Sequence, residues 1–424
     1  MSSRSSTQSL SIVQLVLSAG AVALLVSMFF AAARFGFSRL LTRYALVTNS
    51  IPAANQAVSL TPSDADARRA RASLLANAKL FTEATRDLQI ATNVRQGDDY
   101  LWLELGLNRD ELGDTQGAYK ALDQAVQHAP FYAHTLWQRG NILLRLGRFD
   151  AAFDDLSRAA ESNRAFLPNV IDLAWSLSHE DPNETAQLAK IDTDYERVFF
   201  TRFLASKGKG PETLVQFRLN PTAFSPEQKK DVIRQLMTTN AYRDAFEIWK
   251  TDAAITNERF PMIYDGGFEG SLAFNEVGFG WYVKREQSPA ALSLDTAQHQ
   301  SGDKSLRVTF NGDSDPGLPI ISQTILIRPQ THYRITFAVK TSDIVSGGLP
   351  YLNLKDAATG MVFAKSPAFP QRTADWQLVS FEATTAAGTE AVVLSLQRNS
   401  CSGGPCPIFG SVWLDSFSIE QLAQ

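Results

Sequence analysis

Few residues in this chain have the types and spacing that chemistry requires. The five histidines stand at positions 128, 134, 179, 299 and 332, and no two are placed as metal ligands usually are. Gly208, Lys209, Gly210 and Pro211 form a loop without the spacing of a phosphate cradle. Glycoside hydrolysis needs two facing carboxylates, and no Asp/Glu cluster occupies the outward positions of the C-terminal strands described below. Cys401 and Cys406 are the only cysteines, separated by Ser-Gly-Gly-Pro. That loop is short and flexible enough to close, which would leave no thiol nucleophile; two free buried thiols are the alternative. Closing so small a loop stabilises by about 2 kcal/mol and points to an oxidising compartment. No enzyme is expected.

Two carboxylates stand out for another reason. Trp413, Asp415, Phe417 and Ile419 share one parity of the last strand, so Asp415 is expected to point with three large apolar residues into a core. A charge placed there is expensive unless paired. Glu269 follows Phe268 in a Gly-rich turn, and first and last strands are commonly neighbours in a sandwich. Together with backbone carbonyls the pair would suit a hard cation, which takes about six to eight oxygens. A salt bridge or backbone N–H groups would satisfy the two carboxylates as well.

The elements that carry these residues are strands. Leu306, Val308 and Phe310 alternate with polar residues, as do Tyr333, Ile335, Phe337 and Val339, the pairs Leu352/Leu354 and Val379/Phe381, and the trio Val392, Leu394 and Leu396. Short alternating strands between Gly, Pro and Asp turns predict an antiparallel all-β sandwich or jelly roll over 262–424. Tyr264-Asp-Gly-Gly-Phe-Glu269, Phe279-Gly-Trp281, Gly302 to Val308, Trp376 and Val412 to Ile419 occur in an order that resembles the jelly-roll carbohydrate-binding modules of extracellular glycoside hydrolases. The resemblance implies a structural calcium where the Phe-Glu turn meets the final-strand Asp, at Glu269 and Asp415. It also implies a sugar-stacking platform. Outward parity picks Tyr351, Asn353 and Trp376 for it, and Tyr282 lies beside Trp281; Trp281 and Trp413 are expected in the core.

Ahead of the sandwich the period changes to 34. Ala84, Ala118, Ala152 and Ala186 form one ladder, and Ala72, Gly106, Gly140 and Ala174 another; Leu88, Leu122 and Leu156 repeat likewise, as do Ala91, Ala125 and Ala159. Such a period predicts stacked helix–turn–helix units that cannot bury their apolar faces alone. Trp102, Leu105, Gly106, Gly113, Ala118, Ala125 and Pro130 resemble the tetratricopeptide repeat. The flanking units depart from it: Lys79 replaces the turn glycine and Lys190 the apolar residue equivalent to Leu122. The resemblance implies an all-α superhelix over 61–252 that binds a protein partner. Inner-face candidates are Asn108, Arg109, Asn141 and Arg145.

Leu10 to Ala33 carries no charge and is long enough to cross a bilayer as a helix of about 20 residues. It reads as a transmembrane anchor after a polar tail at 1–9, or as a cleaved signal peptide ending at Ala31-Ala32-Ala33. A juxtamembrane helix and linker (34–60) and a second linker (253–261) complete the division. Arg34, Arg39 and Arg43 after the span argue for a cytoplasmic body, whereas the cysteine pair and the module type argue for the opposite side. The expectation is a single-pass inner (plasma) membrane protein with its bulk periplasmic. From Phe260 onward there are 11 basic and 15 acidic residues, and the chain as a whole carries −4. No basic excess is present for a nucleic-acid backbone. The combined expectation is a non-enzymatic, membrane-anchored protein whose repeats dock a protein and whose sandwich engages a glycan, in envelope or exopolysaccharide assembly or export. Two alternatives stay open: a structural scaffold of a membrane complex that binds no sugar, and a cytoplasm-facing, co-chaperone-like reader of peptide tails.

Overall fold

The computed structural model describes residues 12–253, 255, 260–272, 274–283, 290–312, 314–403 and 405–423. The chain is multidomain: an apolar N-terminal helix, helical repeats, then two antiparallel sheets. It divides into two compact units, Met1–Lys190 and Ile191–Gln424.

In the first unit α1 (Ile12–Thr48) is one unbroken helix of 37 residues, about 55 Å at 1.5 Å per residue. It does not end at Ala33, as the expected anchor boundary had it, because no Pro follows and its second half gains a partner. Ser38 Oγ donates to Ala57 O (2.9 Å) and meets Thr61 Oγ1 at 2.6 Å, and Arg34 donates to Leu60 O (2.7 Å). Leu41 and Ala45 pack against α2 (Ile51–Leu60) and α3 (Ala65–Asn77). Residues 34–60, expected as a juxtamembrane helix and linker, form the end of α1 and then α2, packed as a helical hairpin. Leu15–Thr48 is, among the described residues, the one helix long and apolar enough to cross a membrane, with a mean hydropathy of 2.3 over an 18-residue stretch.

Three hairpins follow in step with the 34-residue period: α3 with α4 (Phe81–Val94), α5 (Asp99–Glu111) with α6 (Thr115–His128), and α7 (Ala133–Arg145) with α8 (Phe149–Ser162). Asp64, Asp98 and Asp114 cap α3, α5 and α6 by accepting backbone N–H groups. Ala84, Ala118 and Ala152 are buried. A Cβ on Gly106 or Gly140 would stand 2.7 or 2.8 Å from Leu122 or Leu156 Cγ, which is the close crossing the ladders imply. The fourth unit, α9 (Leu167–Leu177) with α10 (Pro182–Leu188), has a second helix of seven residues. There Thr185 and Ala189 are buried and Ala186 is only half-buried, so the ladder slips where Lys190 ends the apolar pattern.

In the second unit α11 (Asp194–Ser206), α12 (Gly210–Leu219), α13 (Pro226–Thr238) and α14 (Tyr242–Ala253) share an apolar cluster with Phe279, Leu326 and Ala391 of the sandwich. These helices, expected to close the repeat array, group with the β module. The linker expected at 253–261 lies partly outside the described residues. The five-stranded sheet has the order β1-β2-β9-β4-β7 (Ala291–Asp295, Ser305–Asn311, Ile408–Gln421, His332–Ser346, Arg372–Thr384). The four-stranded one has the order β3-β8-β5-β6 (Ile321–Leu326, Ala391–Arg398, Pro350–Asp356, Val362–Lys365). Inward residues of both, among them Val308, Phe337, Leu352, Leu394 and Leu414, make one core. Cys401 and Cys406 form a disulfide with Cα atoms 5.4 Å apart.

The last strand departs from simple alternation. Ala338 pairs with Asp415 but Thr336 with Ser418, so β9 carries one extra residue, and Ser416 adopts φ 55°. This bulge flips the parity. Leu414 and Phe417 face the core, whereas Trp413 is covered from the other side, donating Nε1–H to Asp295 (2.8 Å) beneath Arg307. The expected shared face of Trp413 and Phe417 does not exist.

Candidate functional site: the outer face of the four-stranded sheet

Alternation places Ser322 and Thr324 of β3, Val393, Ser395 and Gln397 of β8, Tyr351, Asn353 and Lys355 of β5, and Lys365 of β6 on the face turned away from the core. Ser395 is paired across the sheet with Ser322 on one side and Asn353 on the other, and Asn353 with Lys365. These residues form a polar stripe at right angles to the strands. Asn353 Nδ2 donates to Gln397 Oε1 (3.2 Å), and Tyr351 Oη reaches the same oxygen at 3.4 Å. Asn353 Oδ1 and Ser395 Oγ are buried and have no hydrogen-bond partner. An unsatisfied buried polar atom costs about 1–3 kcal/mol, so the stripe is not a finished structural network.

Beyond Ser322 the face meets a cleft of about 450 Å³. Ser322, Thr324 and Val393 form its floor, Tyr282 and Val277 one wall, and Met237 of α13 another. The Tyr282 backbone bridges to Ser322 (N to O 2.7 Å, and 3.0 Å in return), extending the edge of β3. The tyrosine side chain is exposed.

The four expected sugar-binding residues thus separate. Tyr282, Tyr351 and Asn353 belong to this face, while Trp376 is half-buried on β7 of the other sheet. Tyr351 is not an open platform: it is 8% exposed, with the Lys365 ammonium 5.0 Å above its ring. Parity predicted its direction correctly but could not show that a residue on the next strand covers it.

Glu269 and Asp415 meet the same turn at 300–304 without forming a cation cage. Asp415, fully buried, accepts N–H groups of Gln300 (2.7 Å) and Ser301 (2.9 Å). Glu269, exposed at the surface, accepts those of Asp303 (2.9 Å) and Lys304 (3.3 Å). The Lys304 ammonium takes the carbonyls of Glu269 (2.8 Å) and Gly270 (3.2 Å). Among the described residues no third carboxylate, His or Cys joins them. The two carboxylates expected to hold a calcium thus accept backbone N–H groups of one turn, the other arrangement that would satisfy them.

On the repeats, each of the four expected partner-binding residues makes a hydrogen bond within the array. Asn108 and Asn141 donate to Glu104 O (2.8 Å) and Trp137 O (2.9 Å) of their own helices. Arg109 staples its hairpin by donating to Gly117 O (3.0 Å), and Arg145 pairs with Asp110 of the preceding unit (2.5 Å). The Oδ1 of Asn108 is buried and has no hydrogen-bond partner. Sequence reasoning missed two buried ion pairs, Arg71 with Asp87 (2.6 Å) and Arg139 with Asp155 (2.6 Å). Their signal was present, since the two pairs stand two repeat periods apart. Glu104 was also missed. Burial pushes its carboxyl up against the pull of Arg69, whose guanidinium lies 4.3 Å above the Tyr100 ring.

No family model matches the sequence, and no curated protein matches it. Solved structures similar in fold include tetratricopeptide proteins and carbohydrate-binding modules. The crystal structure of MamA is 17% identical over 33% of this chain and 82% of its own, with a TM-score of 0.31. YrrB, described as a tetratricopeptide protein with an unusual peptide-binding site, is 18% identical over 49% of this chain and 94% of its own (TM-score 0.27). A CBM4 module is 15% identical over 38% of this chain and 100% of its own (TM-score 0.29). The chain is similar to such repeats and such modules in architecture.

Proposed function

We propose that this protein is a non-enzymatic adaptor, anchored in a membrane by α1, that binds a protein through its helical repeats and a glycan on the outer face of its four-stranded sheet. The observation that carries the glycan reading is the pair of buried, unpartnered atoms, Asn353 Oδ1 and Ser395 Oγ, on a polar stripe that opens into a cleft. A sugar hydroxyl can donate its one proton to Asn353 Oδ1 while accepting from the Ser395 hydroxyl, which a dry protein face of this kind otherwise leaves undone. Tyr282 at the rim supplies exposed aromatic surface for a pyranose face. The anchor reading draws on the bare apolar half of α1, and the helical joining of its other half to α2 and α3 favours retention over cleavage at Ala33. The disulfide favours an extracytoplasmic body, where envelope or exopolysaccharide assembly takes place.

A glycan array probed with the detergent-solubilised full-length chain tests the first part. Binding that is lost in Asn353→Ala and Tyr282→Ala, with melting unchanged, supports it; an array on which nothing binds leaves the module a structural one. Sidedness follows from thiol labelling in intact cells after an impermeant reductant. Cys401 and Cys406 should label without permeabilisation, and labelling only in permeabilised cells would return the cytoplasm-facing alternative.

A further inference from the structure

We infer that the glycan taken by the four-stranded sheet is an acidic one, whose carboxylates are met by Lys355 and Lys365; this rests on the glycan reading above. Both lysines project from the same outer face, Lys355 opposite Val393 and Lys365 opposite Asn353 on the adjoining strand. Among the described residues neither has a carboxylate within ion-pair distance. Cations of the five-stranded sheet are treated differently: Arg334 holds Glu382 at 2.7 Å and Glu420 at 3.2 Å, and Lys340 holds Asp375 at 2.9 Å. The contrast is not a shortage of acid, because the part from Phe260 onward has 15 acidic against 11 basic residues. Yet no outward position of β3, β8, β5 or β6 holds one.

The neighbouring charges do not change this balance. Glu276 in the cleft wall is held by Lys230 at 3.3 Å, and Arg234 by Asp231 at 2.5 Å. Among the described residues, the two ammonium groups are therefore the charges on the face that no ion pair neutralises. Lys365 rests over the Tyr351 ring, an attraction that positions the ammonium beside Asn353 without neutralising it. A neutral sugar can accept hydrogen bonds from the two groups but does not gain from their charge. A chain carrying carboxylates does, since the surrounding domain is net negative and would repel it elsewhere.

The test is calorimetric titration of the detergent-solubilised full chain with hexamers of galacturonate, mannuronate and glucuronate-containing glycans. Each is paired with its carboxyl-reduced, uncharged form, and neutral gluco- and xylo-hexaose serve as uncharged probes. At least one acidic hexamer should bind, with affinity falling about tenfold or more on carboxyl reduction and falling as salt rises. Lys355→Met and Lys365→Met should each weaken the acidic hexamer about tenfold and weaken any neutral hexamer far less. Both side chains reach solvent, so the variants should melt as the parent does. Equal affinity for reduced and unreduced hexamers, unaffected by the lysine variants, overturns the acidic assignment while the glycan reading stands. Binding of no hexamer, charged or neutral, overturns both.

Discussion

The Lys304 ammonium donates to the carbonyl oxygen of Glu269 at 2.8 Å, at the corner where the first turn of the sandwich meets its last strand. It also reaches Gly270 O, and the Glu269 carboxylate in turn accepts the Lys304 backbone N–H. A side-chain cation therefore does what a bound ion would do, tying a Gly-rich turn to the loop before β2. Melting of the purified chain should be unchanged by a strong calcium chelator. Lys304→Met should lower stability by about 1.5 kcal/mol, the low end of the range for hydrogen bonds to charged groups because these bonds are exposed. A chelator-induced drop in Tm would show that an ion displaces the ammonium.

Lys79 occupies the turn position that Gly113 and Gly147 fill in the next two units. All three are left-handed, with φ of 60°, 76° and 71°. A side chain in that conformation costs about 1–2 kcal/mol, partly offset by the greater unfolded-state freedom of glycine. Lys79→Gly should therefore stabilise the chain by about 0.5 kcal/mol, read as a small rise in Tm. A fall would mean that Lys79 makes a contact worth more than its backbone strain.

What the sequence made legible was whatever repeats or alternates. The 34-residue ladders placed Ala84, Ala118 and Ala152 in the buried helix crossings, and period two placed Leu352, Leu354, Leu394 and Leu396 in the core. The failures come from contacts that depend on a residue distant in sequence. A single inserted residue near Ser416 reverses the side on which Trp413 lies. Tyr351 keeps its outward direction but loses its open ring to Lys365 of another strand. Periodicity reports direction; it does not report what arrives there.

Asp66 joins three helices of the first unit, accepting from Arg95 after α4 (2.7 Å) and from Arg39 of α1 (3.1 Å). The Arg95 hydrogen bond holds its carboxyl below the ordinary value of 3.8. A depressed carboxylate contributes stability that is present above its unfolded pKa and lost as pH falls through the folded one. Because the pair is partly exposed, its worth is only about 0.5 kcal/mol. Parent and Arg95→Met chains should differ by that amount at pH 5–7, and the gap should close below pH 3.8. A gap that widens on acidification would contradict the assignment.

Arg139 is the most heavily committed cation of the repeats. It makes two bonds to Asp155 (2.6 and 2.8 Å) and one to Asp123 (2.7 Å). The Asp155 side chain is 3% exposed and that of Arg139 15%, so neither ion can turn to water. Burial alone would lower the Arg139 pKa; the Asp155 and Asp123 carboxylates outweigh it and the net shift is upward. Removing one partner of a buried pair leaves the other uncompensated, at about 3–5 kcal/mol. The remaining Asp123 contact should reduce that for Asp155→Ala to about 2–3 kcal/mol. Asp154, one residue away and ion-paired at the surface with Lys190, provides the control: Asp154→Ala should cost under about 1 kcal/mol. If denaturant melts give equal losses for the two variants, the buried pair is not what holds α7 to α8. The close seating of Gly140 under Leu156 would then have to account for that contact.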